Sequence, residues 1–156
     1  MEIRSYADYL RSLSDDALIA LFHSRSDLTS PVPSDIASLA VRASSIPSLV
    51  RAVDALNKWQ LQVLEAASVL PEPFTEKELL AHTDKSAKFA LSSLVDRALI
   101  YIGHDGYRLP NNVREILGNE IAALGPAAPK KLKLKDLADA PAASKKVLDA
   151  MVWGPP

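Results

Sequence analysis

Between Ser92 and Pro110 the hydrophobic period changes within a few residues, and that change restricts the fold more than any other stretch of the chain. Up to Ala98 the apolar residues Ala87, Leu91, Leu94, Val95 and Ala98 recur at i, i+4, i+7, i+8 and i+11, the spacing of an α-helix. Leu99-Ile100-Tyr101-Ile102 are then strand formers, Gly103-His104-Asp105-Gly106 is a turn, and Tyr107-Arg108-Leu109 is a second strand. A helix therefore runs directly into a two-stranded ribbon.

The residues before this junction supply two more helices. Trp59, Leu61, Val63, Leu64, Ala67 and Leu70 describe a strongly apolar helix that Pro71 and Pro73 end. Thr75 and Glu78 form a T-x-x-E capping box that opens a short helix with Leu79 and Leu80 inward, and His82-Thr83-Asp84 turn the chain toward a helix from about Lys85 to Ala98. Helix, helix, helix, hairpin is the order of a winged helix-turn-helix. Upstream, Ser5, Ser14 and Ser34-Asp35 cap three helices ending near Leu13, Arg25 and Ala43. Pro47 fits the first turn of a fourth, Ser48 to Leu56, and Thr29 to Asp35 form a Pro/Ser turn. Asn111 to Leu124 can form a further helix, which Gly118 weakens.

The fold class expected is mainly α with a small β-hairpin, a helical N-terminal region plus a winged helix-turn-helix. Four regions follow: residues 1–53, helical; 54–124, the winged helix with a trailing helix; 125–143, a Pro/Lys-rich linker; and 144–156, the start of a downstream domain. The amphipathic Val147, Leu148, Met151 and Trp153 have nothing after them to bury against, so the chain reads as the N-terminal part of a longer one.

Charge and composition exclude several functions. With 18 Lys and Arg against 19 Asp and Glu, the net charge of -1 creates no global field toward nucleic acid or anionic lipid. The chain has no cysteine for disulfides or thiolate metal sites, and Met1-Glu2-Ile3-Arg4 leads into no apolar signal region. Apolar runs such as Ala17 to Phe22 are far shorter than the roughly 18 residues a bilayer span requires. A cytoplasmic protein, without membrane partner, is the expectation.

Catalytic patterns are missing as well. His23, His82 and His104 stand without metal-ligand spacing, no phosphate-binding loop occurs, and the serines lack a nucleophile elbow. Asp15-Asp16 sit where a helix N-terminus favours negative charge. The reading is a non-enzyme with no cofactor, no metal and no small-molecule substrate.

Several stretches resemble a known family. The segment from Ser5 to Ser44, with its R-x-D-L-x-x-P-x-P-x-D run from Arg25 to Asp35, the segment LNKWQLQVLEAASVL from Leu56 to Leu70, and the terminal MVWGPP are similar to the N-terminal part of large actinobacterial helicase-associated proteins. The remainder of such proteins resembles the N-terminal domain of XPB-type DNA helicases. The resemblance implies an accessory role in DNA metabolism, near the nucleoid, with an XPB-type helicase as partner, and brings no catalytic motif.

On a winged helix, the third helix offers its outer face to the major groove and the wing touches phosphate or the minor groove. That face would carry Lys85, Ser86, Lys88, Phe89, Ser92 and Ser93, and the wing His104 and Arg108, with Asp105 opposing a phosphate. No Arg, Asn or Gln on the helix face can make a bidentate base contact, so the expected partner is duplex DNA held weakly and without sequence specificity. From Asp54 to Glu115 there are seven Lys and Arg against nine Asp and Glu, a net of -2, which keeps the phosphate-driven affinity of this region low. The densest basic stretch, Lys130, Lys131, Lys133 and Lys135 with Lys145 and Lys146, nets +3 against Asp136, Asp139 and Asp149. It reads either as a further phosphate contact or as a solvated linker. The alternative for the whole region is a docking or dimerisation module with no direct DNA contact. Trp59 lies in the apolar phase of its helix and is assigned to the core.

Overall fold

The computed structural model describes residues 3–118, together with Pro141, Ala142, Ser144 and Lys146. The chain forms two compact units, Met1–Ala123 and Leu124–Pro156. In the second, Ala142, Ser144 and Lys146 are exposed and helical, so helical backbone begins before the expected start at Ser144.

Side-chain caps start most of the helices in the first unit. Ser5, Ser14 and Asp35 accept the N–H groups of Asp8, Ala17 and Ser38, opening α1 (Tyr6–Ser12), α2 (Asp15–Ser24) and α3 (Ile36–Ala43). A 3₁₀ turn, Ser26–Leu28, follows α2, and α4 (Ile46–Asp54) carries Pro47 in its first turn, starting two residues before the expected Ser48. Reciprocal capping boxes open α5 (Lys58–Val69), between Asn57 and Gln60, and α6 (Glu76–His82), between Thr75 and Glu78. The last described helices are α7 (Ala87–Asp96) and α8 (Val113–Leu117). The helix expected from Asn111 onward stops at Leu117 because Gly118 takes φ +76° and caps it.

The junction of α7 with the hairpin is a complete Schellman turn. Ala98 N–H donates to the Val95 carbonyl (2.9 Å) and Leu99 N–H to the Leu94 carbonyl (2.9 Å), while Ala98 takes the left-handed conformation at φ 53°. Leu99 and Ile100 are consumed by this turn and by the core, so the strands shorten to β1 (Tyr101–Ile102) and β2 (Tyr107–Arg108), antiparallel, with Tyr101 opposite Arg108. Phe74, between α5 and α6, adds a third, single-residue rung. It exchanges two backbone hydrogen bonds with Tyr107 (3.1 and 2.8 Å). Gly106 sits against this rung at φ +150°, where a Cβ would lie 2.7 Å from the Phe74 carbonyl oxygen, so only glycine fits.

Two hydrophobic cores meet along α7. The larger takes Leu49 and Ala52 of α4, Val63, Leu64 and Ala67 of α5, Phe74, Leu79 of α6, Ala87, Ala90, Leu91 and Leu94 of α7, and Val113 of α8, with Trp59 packed at its edge. The smaller joins Tyr9 and Leu10 of α1, Leu21, Leu28, and Leu39, Ala40 and Ala43 of α3 to Ala98 and Tyr101, and Val95 borders both. Residues 53 and 54 lie inside the first unit, with α4 contributing to the larger core.

Tyr6 and Tyr9 clamp α1 to the end of α7. Their hydroxyls donate to the carbonyls of Ala98 (2.9 Å) and Val95 (3.2 Å), and both rings lie within 6 Å of the Tyr101 ring, centre to centre. Burial pushes the Tyr9 phenol up to about 12 and raises those of Tyr6 and Tyr101.

No single described helix is long and apolar enough to cross a membrane. The pair α3 and α4 meets the length and composition together, bent by 66° at its break. Both helices place apolar residues in the cores.

Candidate nucleic-acid interface

With its inner sides in the two cores, α7 and the turn that leads into it have one outward stripe, Lys85, Ser86, Lys88, Phe89, Ser92 and Asp96, all exposed, so that the stripe ends on a carboxylate. The N-terminal helices pack on the end and back of α7 and leave this stripe uncovered. Ser93 departs from the expected face: it is half-buried, and its hydroxyl accepts a hydrogen bond from Gln60 of α5 (2.8 Å). Phe89 is 82% exposed, the largest fraction among the exposed large hydrophobics of the described residues.

Local chemistry sets the entry to the stripe. Asp84 accepts the Ser86 N–H (2.6 Å), an Asx turn in place of a capped helix start, and the Ser86 hydroxyl together with this N–H holds the Asp84 carboxyl below its ordinary pKa. A carboxylate is thereby fixed beside Lys85 and Ser86.

Of the cations on the stripe and the hairpin, Lys88 and Arg108 face acids. Lys88 Nζ lies 3.2 Å from a Glu76 carboxylate oxygen. On the hairpin the Arg108 guanidinium grips Asp105 at 2.8 and 3.1 Å. This lowers the Asp105 pKa, chiefly through the hydrogen bond, and raises that of Arg108. His104 Nδ1 is 3.5 Å from the same carboxylate. Lys85 has no ion pair among the described residues. The conflict expected between Asp105 and an approaching phosphate thus takes the form of a bidentate pair that a phosphate must displace. Lys130, Lys131 and Lys133 lie outside the described residues.

A polar network elsewhere in the unit escapes sequence reading. Arg25 is 1% exposed; its Nε and Nη2 donate to the two oxygens of Asp27 (2.9 and 3.0 Å), and Nη2 also donates to the Ser48 hydroxyl (2.6 Å). The carbonyls of Ala43, Ser48 and Arg97 accept further bonds at 3.4–3.5 Å. A polar depression of about 410 Å³ beside it is lined by Ser24, Ser26, Asp27, Ser30 and Arg51, but the guanidinium is already engaged and offers it no free charge. Arg42 likewise ties down the Pro/Ser turn through the carbonyls of Asp27, Ser30 and Pro31, and Arg114 reaches from α8 to the terminal carbonyls of α5, at Ser68 and Leu70.

His82 Nδ1–H donates to the Glu78 carbonyl within α6 (3.0 Å), His23 is exposed on α2, and no group of three His, Asp or Glu among the described residues is arranged to hold a metal ion.

Scans of the chain against family models, curated proteins and solved structures returned no match.

Proposed function

We propose that residues 54–118 act as a winged-helix module that lays the outer face of α7 on duplex DNA, without sequence specificity and without catalysis, as part of a helicase-accessory protein working beside an XPB-type helicase in the cytoplasm. The observation that carries the proposal is the uncovered stripe Lys85, Ser86, Lys88, Phe89 and Ser92 on a helix whose other sides are packed. The order α5, Phe74 rung, α6, α7, hairpin supports it, since a ribbon braced on the chain between the first two helices is held at a set angle to the third. Lys85 and Lys88 hold phosphates, Ser86 and Ser92 make direct or water-mediated contacts, and Arg108 reaches the backbone by exchanging Asp105 for phosphate.

Three such contacts give a salt slope near -2.7, so binding to random duplex should fall about 40-fold between 50 and 200 mM salt. Lys85→Glu combined with Lys88→Glu should abolish retention on a duplex column at low salt. Retention unchanged in the double variant, or no binding of the unaltered chain at tens of micromolar, ends the proposal.

One observation favours a second reading, a protein-docking module. The ion pairs Lys88–Glu76 and Arg108–Asp105 spend the cations internally, and an exposed aromatic ringed by polar residues is also the anatomy of an interface hot spot. Under it the double variant captures its protein partner as well as the unaltered chain does.

A further inference from the structure

We propose that Phe89 is a stacking platform for an unpaired nucleotide, so that the α7 face binds best where a duplex opens into single strands; this rests on the DNA-contact reading above and specifies the DNA structure.

Packing does not require the ring outside. Ala87, Ala90, Leu91 and Leu94 fill the inner sides of α7, and Phe89 stands between them and solvent with 82% of its surface exposed. Its immediate surroundings on the stripe are charged or hydroxylated: Lys85 four residues before it, Lys88 one before, Ser86 three before and Ser92 three after, all exposed, with the carboxylates of Asp84 and Asp96 at the two ends of the stripe. An aromatic face interleaved with cations and hydroxyls matches a nucleotide, whose base presents a π-face and whose phosphate presents negative charge.

The chemistry of the side chain selects the unpaired state. Phenylalanine has no polar atom with which to read a base edge, and in the major groove of an intact duplex it can touch only a thymine methyl. Its useful surface is the ring face, and the matching faces of bases are covered by their neighbours in a duplex and uncovered where the strands separate. Phosphate attraction here is small, because Lys88 shares Glu76 and the region from Asp54 to Glu115 carries a net -2. Stacking, which tolerates every base, therefore supplies the larger part of the binding, with Lys85 and Lys88 orienting the strand.

The test compares a labelled fork, a duplex ending in two unpaired thymidine tails, with a blunt duplex of the same paired sequence, by fluorescence anisotropy of the whole chain at low salt. The fork should bind about tenfold more tightly. Phe89→Ala should weaken fork binding by about 5- to 100-fold and blunt-duplex binding by much less, so that the preference for the fork is lost, and Phe89→Trp should retain fork binding. So exposed a residue can be truncated without disturbing the cores, which unchanged thermal unfolding verifies. Phe89→Ala binding the fork like the unaltered chain, while Lys85→Glu with Lys88→Glu weakens both DNAs, overturns the stacking role and leaves DNA contact standing. Equal affinity for fork and blunt duplex, with Phe89→Ala weakening both, overturns the preference for unpaired nucleotides. Failure of the unaltered chain to bind either DNA overturns the DNA-contact reading and this inference with it.

Discussion

At the scale of single residues, Arg25 is the side chain with most at stake. A guanidinium removed from water is tolerated only when its donors are met, and here Asp27, Ser48 and backbone carbonyls from three separate places meet them. Arg25→Ala leaves the Asp27 carboxylate buried without its counter-charge, and urea unfolding should register a loss of about 3–5 kcal/mol. Arg25→Lys should recover only part of it, because an ammonium cannot repeat the two-point grip on the carboxylate. Asp27 adds a pH signature. Burial alone would raise its pKa, but hydrogen bonds from Arg25 and Ser48, with the charge of Arg25, hold it below the usual carboxylate value. A carboxyl whose folded pKa is depressed contributes stability above its unfolded pKa near 3.9 and loses it as pH falls through the lower folded value. The urea midpoint should therefore drop on acidification below about pH 4 in the unaltered chain. That part of the drop should be missing in Asp27→Asn, and equal acid sensitivity in both would remove Asp27 from the account.

At the scale of elements, the turn from α7 into β1 decides where the hairpin points. Ala98 occupies the left-handed position of the Schellman turn, which usually falls to glycine, and its buried methyl joins the N-terminal core while its carbonyl accepts the Tyr6 hydroxyl. The alanine thus exchanges backbone strain of about 1–2 kcal/mol for contacts that a glycine would lack. Ala98→Val adds a β-branch at φ 53° and overfills a closed site, so thermal or chemical unfolding should show destabilisation of about 2–3 kcal/mol. Because the same turn aims the hairpin, the proposed DNA contact predicts that duplex retention of that variant falls even where it remains folded. A variant as stable as the unaltered chain would show that the turn has another low-energy form.

At the scale of the first unit, the two cores share Val95 of α7 and take alternate residues of the turn into β1, Leu99 and Ile100 in the larger and Ala98 and Tyr101 in the smaller, so the two are expected to close together. The tyrosine cluster reports on the smaller core and Trp59 on the larger. In a Trp153→Phe background, near-UV signals of the tyrosines and fluorescence of Trp59 should follow a single coincident urea transition. Separate midpoints would mean that the helices before residue 54 melt independently. Coupling of this kind also bears on the proposed interface: the N-terminal helices hold α7 from behind and so keep its outward stripe in a fixed setting.

Local signals carried much of the fold into the sequence. Ser5, Ser14, Asp35, Pro47 and the Thr75–Glu78 box mark helix starts because a cap is an interaction over three residues, and the switch of period after Ala98 marks the hairpin for the same reason. The outward stripe of α7 was legible too, since helical periodicity assigns Leu91 and Leu94 inward and thereby Lys85, Lys88, Phe89 and Ser92 outward. What tertiary structure alone decided lies between distant positions. Arg25 and Arg97 stand 72 residues apart and Tyr6 and Ala98 stand 92 apart, and no pattern in either neighbourhood announces the other. Ser93 turned inward because Gln60 of α5 was near enough to bond it, and Lys88 met Glu76 because α6 packs beside α7. A sequence encodes which faces want water; which charges are left to meet a partner depends on what the folded chain has already placed against them.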